Sequence, residues 1–360
     1  MALGQKLAKR LSGGSVVLLC GDLGAGKTHF TKGIARGLGI QGIIKSPTFT
    51  YVNSYSLIEG KGKGDGTESL PAPSSQPHAF HHYDLYRLSP GDDLSSIGLD
   101  DSLNDPEAIN VIEWADRLQE LPKDYIQVHL KTGGGVVESE EGSVHELAIE
   151  WYESAIVPES EVQDFWDEWK TPEHVRAHCR QVASVALQLG QAMIHAGKII
   201  DLNALNTAAL LHDMSRVCDF KTMDRNHFSE PITDEKWDAW LQLREQFKGQ
   251  RHGDIAAKFL KEKGYHRTAH LIAHHHFVDL LGAPELFEDD LELAIVYYAD
   301  KRVKHDQIVS VTDRLADGRE RYLQNATPEK VKTSKKIETL VLNLEKKLFE
   351  GVGIEPGDIK

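Results

Sequence analysis

The sequence predicts two domains of different class, an α/β domain followed by an all-α domain. Three observations carry this expectation. An apolar run, a glycine-rich loop and a helical stretch succeed one another within residues 15–37. Strand-like alternation runs through the first half of the chain and nearly vanishes after about residue 157. Histidine usage shifts with it, since 12 of the 18 histidines fall between His174 and His305. A chain of 360 residues suits two domains, taking about 100–200 residues for each.

Taken in order, Leu3, Leu7 and Leu11 recur at helical spacing and predict an amphipathic helix over 2–11. Ser15 to Cys20 reads as a buried strand, and Thr28 to Gly37 as a helix closed by glycines. A strand is expected at Phe49–Tyr55. Residues 59–77, rich in Gly, Ser, Pro and Lys, read as a disordered insertion within the domain. Further strands are expected at Ala79–Tyr83, Ile109–Ile112, Tyr125–Leu130 and Ser143–Trp151, the last two joined as a hairpin around Gly133-Gly134-Gly135. The first domain is therefore placed at 1–156. A linker with Pro158 and Pro172 leads into an all-α domain at 157–330, where Val182, Val185, Ala186 and Leu189 mark one helix face. Over 331–360, Ile337, Leu340, Val341, Leu344 and Leu348 predict an amphipathic helix and tail serving packing or partner contact.

Composition excludes several classes. A net charge of −14 without a dense Lys/Arg block disfavours direct, tight binding of a polyanion. Cys20, Cys179 and Cys218 form no CxxC pair, which suits a reducing compartment. Lys6, Lys9 and Arg10 precede Val16–Leu19, but that run is shorter than a signal h-region of about 7–15 residues. No stretch reaches the ~20 apolar residues of a membrane span. A soluble, cytoplasmic protein with no membrane partner is expected.

Gly21-Asp22-Leu23-Gly24-Ala25-Gly26-Lys27-Thr28 fits G-x-x-x-x-G-K-[ST], between a predicted strand and a predicted helix. Backbone N–H groups freed by the glycines curl around a β-phosphate, Lys27 brings charge to the β/γ-phosphates, and the Thr28 hydroxyl completes a Mg²⁺ ligand set. ATP and Mg²⁺ are the expected cofactors. Asp84 and Glu113 end two apolar strands. The first is a candidate to hold Mg²⁺, and the second to orient or deprotonate an attacking water.

Together with GDLGAGKT at 21–28, the segments SPTFTYVNSY at 46–55, HYDLYRL at 82–88 and IEWADRL at 112–118 resemble the TsaE family over roughly residues 2–151. These are small ATPases of bacterial threonylcarbamoyladenosine tRNA modification. The resemblance implies that Ser46, Pro47 and Thr48 form a switch-like loop sensing the γ-phosphate. It implies further that Asp84 sits by Mg²⁺ and that Glu113 and Trp114 lie by the nucleotide or partner surface. The implied partner is the TsaB–TsaD complex, which holds the tRNA, so that tRNA is met only indirectly. His29 stands where relatives commonly carry a second Thr.

In the second half, His178, His212-Asp213, His252, His274-His275-His276 and Asp300 stand beside apolar helical runs. Such groups are costly to bury unpartnered, and gathering them around metal ions resolves the cost. A lone His195 or His266 reads as a surface or satisfied core residue. The ordered set resembles the HD-domain phosphohydrolases over roughly 172–320. That resemblance implies a shared metal site of His178, His212, Asp213 and Asp300. His252 and His275 would add a second metal, as in the YqeK-like branch, with His274 or His276 as alternatives to His275. Asp213 would be the bridging, catalytic carboxylate. Mixed imidazole and carboxylate ligation suits Fe²⁺, Mn²⁺ or Co²⁺. Arg216, where many relatives have Lys nearby, is a phosphate candidate, as are Lys301 and Arg302, which also read as a solvated helix face.

The reading reached is a TsaE-like ATPase fused to a dinuclear phosphohydrolase acting on an adenine nucleotide, with threonylcarbamoyl-adenylate as the first candidate. A bifunctional small-molecule kinase and phosphatase is one alternative. A TsaE-like ATPase carrying a non-catalytic histidine scaffold is the other.

Overall fold

The computed structural model of the chain describes residues 1–41, 44–57, 77–89, 92, 94–132, 145–228, 230–324 and 326–360. Contacts divide it into two units, Met1–Glu153 and Ser154–Lys360.

In the first unit six strands form one sheet: β1 (Val16–Cys20), β2 (Val52–Ser56), β3 (Ala79–Asp84), β4 (Ala108–Glu113), β5 (Tyr125–Thr132) and β6 (His145–Tyr152). Their order is β2-β3-β4-β1-β5-β6. The inner strands β3, β4, β1 and β5 run parallel, while β2 and β6 close the edges antiparallel. Val16–Leu19 and all of β4 are buried, as central parallel strands covered on both faces require. Among the described residues, α-helices α1 (Ala2–Ala8), α2 (Lys27–Gly37) and α3 (Leu99–Leu103) accompany the sheet. Register sets the site. Leu19 and Asp84 both stand beside Glu113, so the carboxyl ends of β1, β3 and β4 share one edge. Ligands of open α/β sheets bind in that crevice.

The second unit is helical: α4 (Val162–Glu168), α5 (Glu173–His195), α6 (Leu202–Leu211), α7 (Asp234–Gln246), α8 (His252–Glu262), α9 (His266–Ala273), α10 (Asp279–Gly282), α11 (Pro284–Asp289), α12 (Leu291–Asp300), α13 (Val311–Tyr322) and α14 (Pro328–Phe349). Asp201 and Asp290 cap α6 and α12 by accepting first-turn amides. Glu292 to Asp300 is buried throughout, so α12 is a central helix with apolar sides all round. It ends on Asp300, beneath the cavity described below. α14 turns Ile337, Val341, Leu344 and Leu348 into the same core, which makes the C-terminal segment part of this unit's packing.

Several boundaries differ from the sequence expectation. The first helix stops at Ala8. The strand expected from Phe49 begins at Val52, because Thr50 and Tyr51 N–H groups both bond the Pro47 carbonyl and turn the chain. α3 and the short pair β7 (Val303–Lys304) and β8 (Gln307–Ile308) were not anticipated. Nearly all of the insertion at 59–77, and the triple-glycine turn, lie outside the described residues. Among the described residues, no helix is long and apolar enough to cross a membrane.

Two candidate catalytic sites

The phosphate loop leaves β1 at Gly21, whose φ of 142° only glycine adopts readily; a Cβ there would stand 2.2 Å from the Leu130 carbonyl oxygen. The Lys27 ammonium folds back to donate to the carbonyls of Gly21 and Asp22, at 2.9 Å for the latter. It lies 3.6 Å from the centre of the Trp114 ring. Trp114 itself holds a left-handed backbone, φ 59°, immediately after β4. Burial lowers the Lys27 pKa, and the carboxylates of Glu113, Asp116, Asp84 and Asp22 oppose that.

Glu113 is the hub. Its Oε2 accepts the Thr28 hydroxyl at 2.8 Å, while Oε1 accepts His82 Nε2–H at 2.7 Å and the Thr31 hydroxyl at 3.3 Å. Asp84 engages a different set. Its Oδ2 accepts the hydroxyls of Ser46, at 2.7 Å, and Thr48, and its Oδ1 accepts the Tyr86 amide at 3.0 Å. The sequence reading places Asp84 by the cation and Glu113 by the attacking water; the geometry joins Glu113 to the Thr28 hydroxyl and Asp84 to the hydroxyls of Ser46 and Thr48. Residues of the loop line a crevice of about 310 Å³ with Thr48, Asp84, Glu113 and Trp114.

In the second unit, four histidines are held from behind in the same way. Nδ1–H donates to the His305 carbonyl from His178 (2.8 Å), to the Ala209 carbonyl from His212 (2.7 Å), to the Ile272 carbonyl from His275 (2.6 Å), and to Asp219 Oδ2 from His252 (2.7 Å). Each bond directs an Nε2 lone pair inward, the arrangement that prepares imidazoles for a metal. Asp213 stands between two groups. Its Oδ1 is 2.8 Å from His252 Nε2 and 3.5 Å from His275 Nε2, and its Oδ2 is 3.9 Å from His212 Nε2. Asp300 Oδ1 lies 3.1 Å from His178 Nε2 and 3.7 Å from His212 Nε2.

These residues fit a metal centre on internal grounds. His212 Nε2 is buried with no hydrogen-bond partner. His252 Nε2 and His275 Nε2 face each other at 2.8 Å, a contact that needs either a proton on one of them or a cation between them. The donor atoms of His178, His212 and Asp300 all fall within 4.8 Å of one another, as do those of His252, His275 and His276. Burial pushes His275 down to about 3. Burial also works against charge on His252, but the carboxylates of Asp213 and Asp219 outweigh it and raise that group.

A cavity of about 670 Å³ opens over the centre, lined among others by His174, Arg216, Phe220, Phe277, Arg314 and Arg321. Arg216 pairs with Asp219 and approaches Asp213 to 3.8 Å. Lys301 takes another task than the one expected of it. It is buried, bonded to the Asp300 carboxylate and, at 2.6 Å, to the His275 carbonyl, so it neutralises a candidate ligand. Arg302 is no solvated or phosphate-facing residue, because it bonds the Val309 and Pro356 carbonyls and the Tyr298 hydroxyl. His274 stays outside the cluster, its ring against His270 at 5.6 Å.

The model of the threonylcarbamoyl adenosine biosynthesis protein TsaE matches residues 1–140, and that of the HD domain matches residues 175–317. A Streptomyces coelicolor relative, named as tRNA threonylcarbamoyladenosine biosynthesis protein TsaE, is 36% identical over 135 residues, covering 37% of this chain and 79% of its own. The chain belongs to the TsaE family. TsaE proteins of Bacillus subtilis (39% identity, 34% of this chain and 64% of theirs) and Synechocystis (42%, 33% and 66%) are similar over the same part. To the TsaE part this chain adds an HD domain, and the fold of each unit is the one the sequence predicted: α/β first, then helical.

Within the TsaE part, sequence reasoning missed His82, which is wholly buried beneath Glu113. A signal existed, because His82 and Asp84 share one face of β3 by the two-residue period. In the HD part it missed Asp219, the acceptor behind His252, which only the fold brings there.

Proposed function

We propose that the TsaE part hydrolyses ATP in the service of threonylcarbamoyladenosine formation on tRNA, and that the HD part is a divalent-metal phosphohydrolase acting on an adenine nucleotide. The observation carrying the first half is the bond between Thr28 and Glu113 at the mouth of the phosphate loop, in a chain of this family. Lys27 exchanges the Gly21 and Asp22 carbonyls for the β/γ-phosphates. The Thr28 hydroxyl would hold a magnesium ion, which would supply charge neutralisation for the phosphates. Glu113, aimed by His82 and Thr31, holds this end of the site. Asp84 tethers Ser46 and Thr48, which gives the segment a way to report whether a γ-phosphate is present. Trp114 covers the lysine and must yield as nucleotide enters. With a net charge of −14, the tRNA is held by the partner, the TsaB–TsaD complex.

The second half rests on the convergence of four Nε2 atoms with Asp213 and Asp300. His178, His212 and Asp300 would hold one ion and His252 and His275 the other, with Asp213 shared. Iron(II), manganese(II) or cobalt(II) bound by these residues would supply Lewis acidity toward a phosphoryl oxygen. The chain's own contribution is positional: the Nδ1 bonds fix every imidazole, and Lys301 offsets the Asp300 charge. Arg216 and Arg314 furnish cationic groups at the cavity, and Phe220 and Phe277 give apolar faces for a base. An adenylate joins both features, and threonylcarbamoyl-adenylate is the first candidate.

The test uses the full-length chain. ATP turnover should be weak alone and rise with the TsaB–TsaD complex, and the Lys27→Ala variant should fail in tRNA modification. The same variant, loaded with Fe²⁺ or Mn²⁺ and offered threonylcarbamoyl-adenylate, diadenosine polyphosphates and simple nucleotides, isolates the HD activity. Turnover of none of the adenine compounds would overturn the substrate assignment.

A further inference from the structure

We propose that Arg314 and Arg321, on α13, form an anion subsite in the wall of the HD cavity, separate from the metal ligands. The substrate cleaved at the centre then carries a second oxyanion group, a phosphate or a carboxylate, beyond the phosphate under attack. This rests on the phosphohydrolase reading above and narrows its substrate class.

Helical spacing puts Arg314, Asp317 and Arg321 on one face of α13. Both arginines line the cavity of about 670 Å³. Arg314 Nε–H donates to the Val303 carbonyl at 3.1 Å, and its guanidinium carbon stands 5.8 Å from the centre of the Phe277 ring. Lys301, which bonds Asp300, lies 4.4 Å from the centre of the same ring. Arg321 Nε is 2.9 Å from Asp317 Oδ2, and its guanidinium donates to His305 Nε2 at 3.3 Å. Among the described residues these two contacts leave most of its N–H donors open. The Arg314 side chain is 20% exposed and that of Arg321 43%, so one cation is anchored and the other approachable.

The balance of charge favours an anion here. Asp317 gathers these groups, and it is shared three ways. Lys304 Nζ takes its Oδ1 at 2.8 Å, while Arg314 approaches Oδ2 to 3.7 Å. One carboxylate does not neutralise three cations. Glu173 and Asp306 also line the cavity, but Glu173 is already paired with Arg180 at 2.7 Å. A guanidinium fork matches two oxygens of a phosphate or carboxylate, and a partly enclosed wall strengthens that bond relative to open water.

His305 ties this wall to the metal centre. Its backbone is left-handed, φ 59°, a conformation that costs free energy in a residue other than glycine. Its carbonyl accepts His178 Nδ1–H at 2.8 Å, and its ring accepts Arg321. An anion held by Arg321 is therefore one residue removed from His178. That placement suits the group next along the substrate from the phosphate on the metals.

The experiment compares ligands within one variant. Full-length Lys27→Ala protein, with the ATPase site disabled, is loaded with Mn²⁺. AMP, carrying one phosphate, is the reference, read as a substrate or as a competitive inhibitor. ADP, diadenosine tetraphosphate and threonylcarbamoyl-adenylate each carry a second oxyanion. Adding Arg321→Gln should raise KM for at least one of these about tenfold or more relative to the AMP constant, the scale of a lost charge-assisted hydrogen bond. Arg321→Lys should recover part of the loss, and Arg314→Gln should shift the same ratio in the same direction. Loss for ADP and diadenosine tetraphosphate identifies a phosphate, loss for threonylcarbamoyl-adenylate a carboxylate, and either supports the subsite. An unchanged ratio in both glutamine variants would overturn the subsite and leave the phosphohydrolase reading standing. Turnover of none of these compounds by the parent would overturn that reading and the subsite with it.

Discussion

The Thr28 hydroxyl donates a 2.8 Å hydrogen bond to Glu113 Oε2, and so ties the end of the phosphate loop to the end of β4 across 85 residues of sequence. The other oxygen of the same carboxylate is taken by His82 and Thr31. One residue thus joins the cradle, the sheet and the buried layer beneath them. Replacing it with Gln keeps the shape and some of the bonds but removes the charge. Glu113→Gln should lower ATP turnover about 10²–10⁴-fold, the range for losing a positioned acid–base or charge-stabilising group, with ATP affinity changed only a few-fold. Calorimetric titration beside a phosphate-release assay separates the two effects. A variant with normal turnover would remove Glu113 from the mechanism.

His82 carries a prediction of its own. Buried and bonded to Glu113 Oε1 at 2.7 Å, it is a positioning residue. His82→Phe fills the same space and leaves that oxygen with Thr31 alone. It should cost about 1–3 kcal/mol of stability for the unsatisfied buried acceptor. Turnover should fall roughly tenfold or more while His82→Gln, which keeps a donor, recovers part of it. Equal turnover in the Phe and Gln variants would assign His82 to packing only.

Metal should stabilise the helical unit. The convergent imidazoles and carboxylates are preorganised in the fold, so an ion binds the folded state in preference to the unfolded one. At free Mn²⁺ near 100 times its dissociation constant the gain is about 2.7 kcal/mol. The melting transition should move up with Mn²⁺ and down with EDTA, and the shift should shrink in His212→Asn. A melting curve indifferent to metal in the wild type would speak against the centre.

An acid-sensitive element stands at the start of α12. Asp290 caps α12 and pairs with Arg267. Burial opposes its ionisation, but His270 and Arg267 outweigh that and hold its carboxyl well below the usual range. A group depressed in the folded state stabilises fully above its unfolded pKa of ~3.9 and loses that contribution as pH falls through the folded value. Asp290→Asn keeps the cap, so it isolates the charge. It should cost about 3 kcal/mol at pH 7, the lower end for breaking a largely buried pair, and the gap to wild type should narrow below pH ~4. Denaturant midpoints measured at pH 7, 5 and 3 decide it.

Much of the first site was legible because its chemistry is local. Gly21 to Thr28 are contiguous, and Asp84 and Glu113 end strands that announce themselves by apolar runs. Which carboxylate meets Thr28 was not legible, because that depends on the register that sets Leu19 and Asp84 beside Glu113. In the helical unit, His178, His212, Asp213 and Asp300 come from three separate helices or their ends, and only their order hinted at convergence. The triple histidine shows the limit most clearly. Adjacent residues on a helix end point in different directions, and the break of α9 at Ala273 decides that His275 and His276 turn inward while His274 does not. Lys301 misled for a related reason: its charge suggested solvent, yet the apolar burial of α12 carries it inside.

Among the described residues, the strand that launches the phosphate loop has no sheet partner near it in sequence. Within those residues β1 pairs with β4 and β5, Val16 lying beside Asn110 and Val17 beside Ile126. Roughly 90 residues must therefore be made before the first of these pairings can form, which at about 5–20 residues per second takes some 5–20 s of synthesis. Through that interval Val16–Leu19 is an unpaired apolar segment on a nascent chain, so nucleotide binding cannot help the TsaE part fold until β4 has arrived.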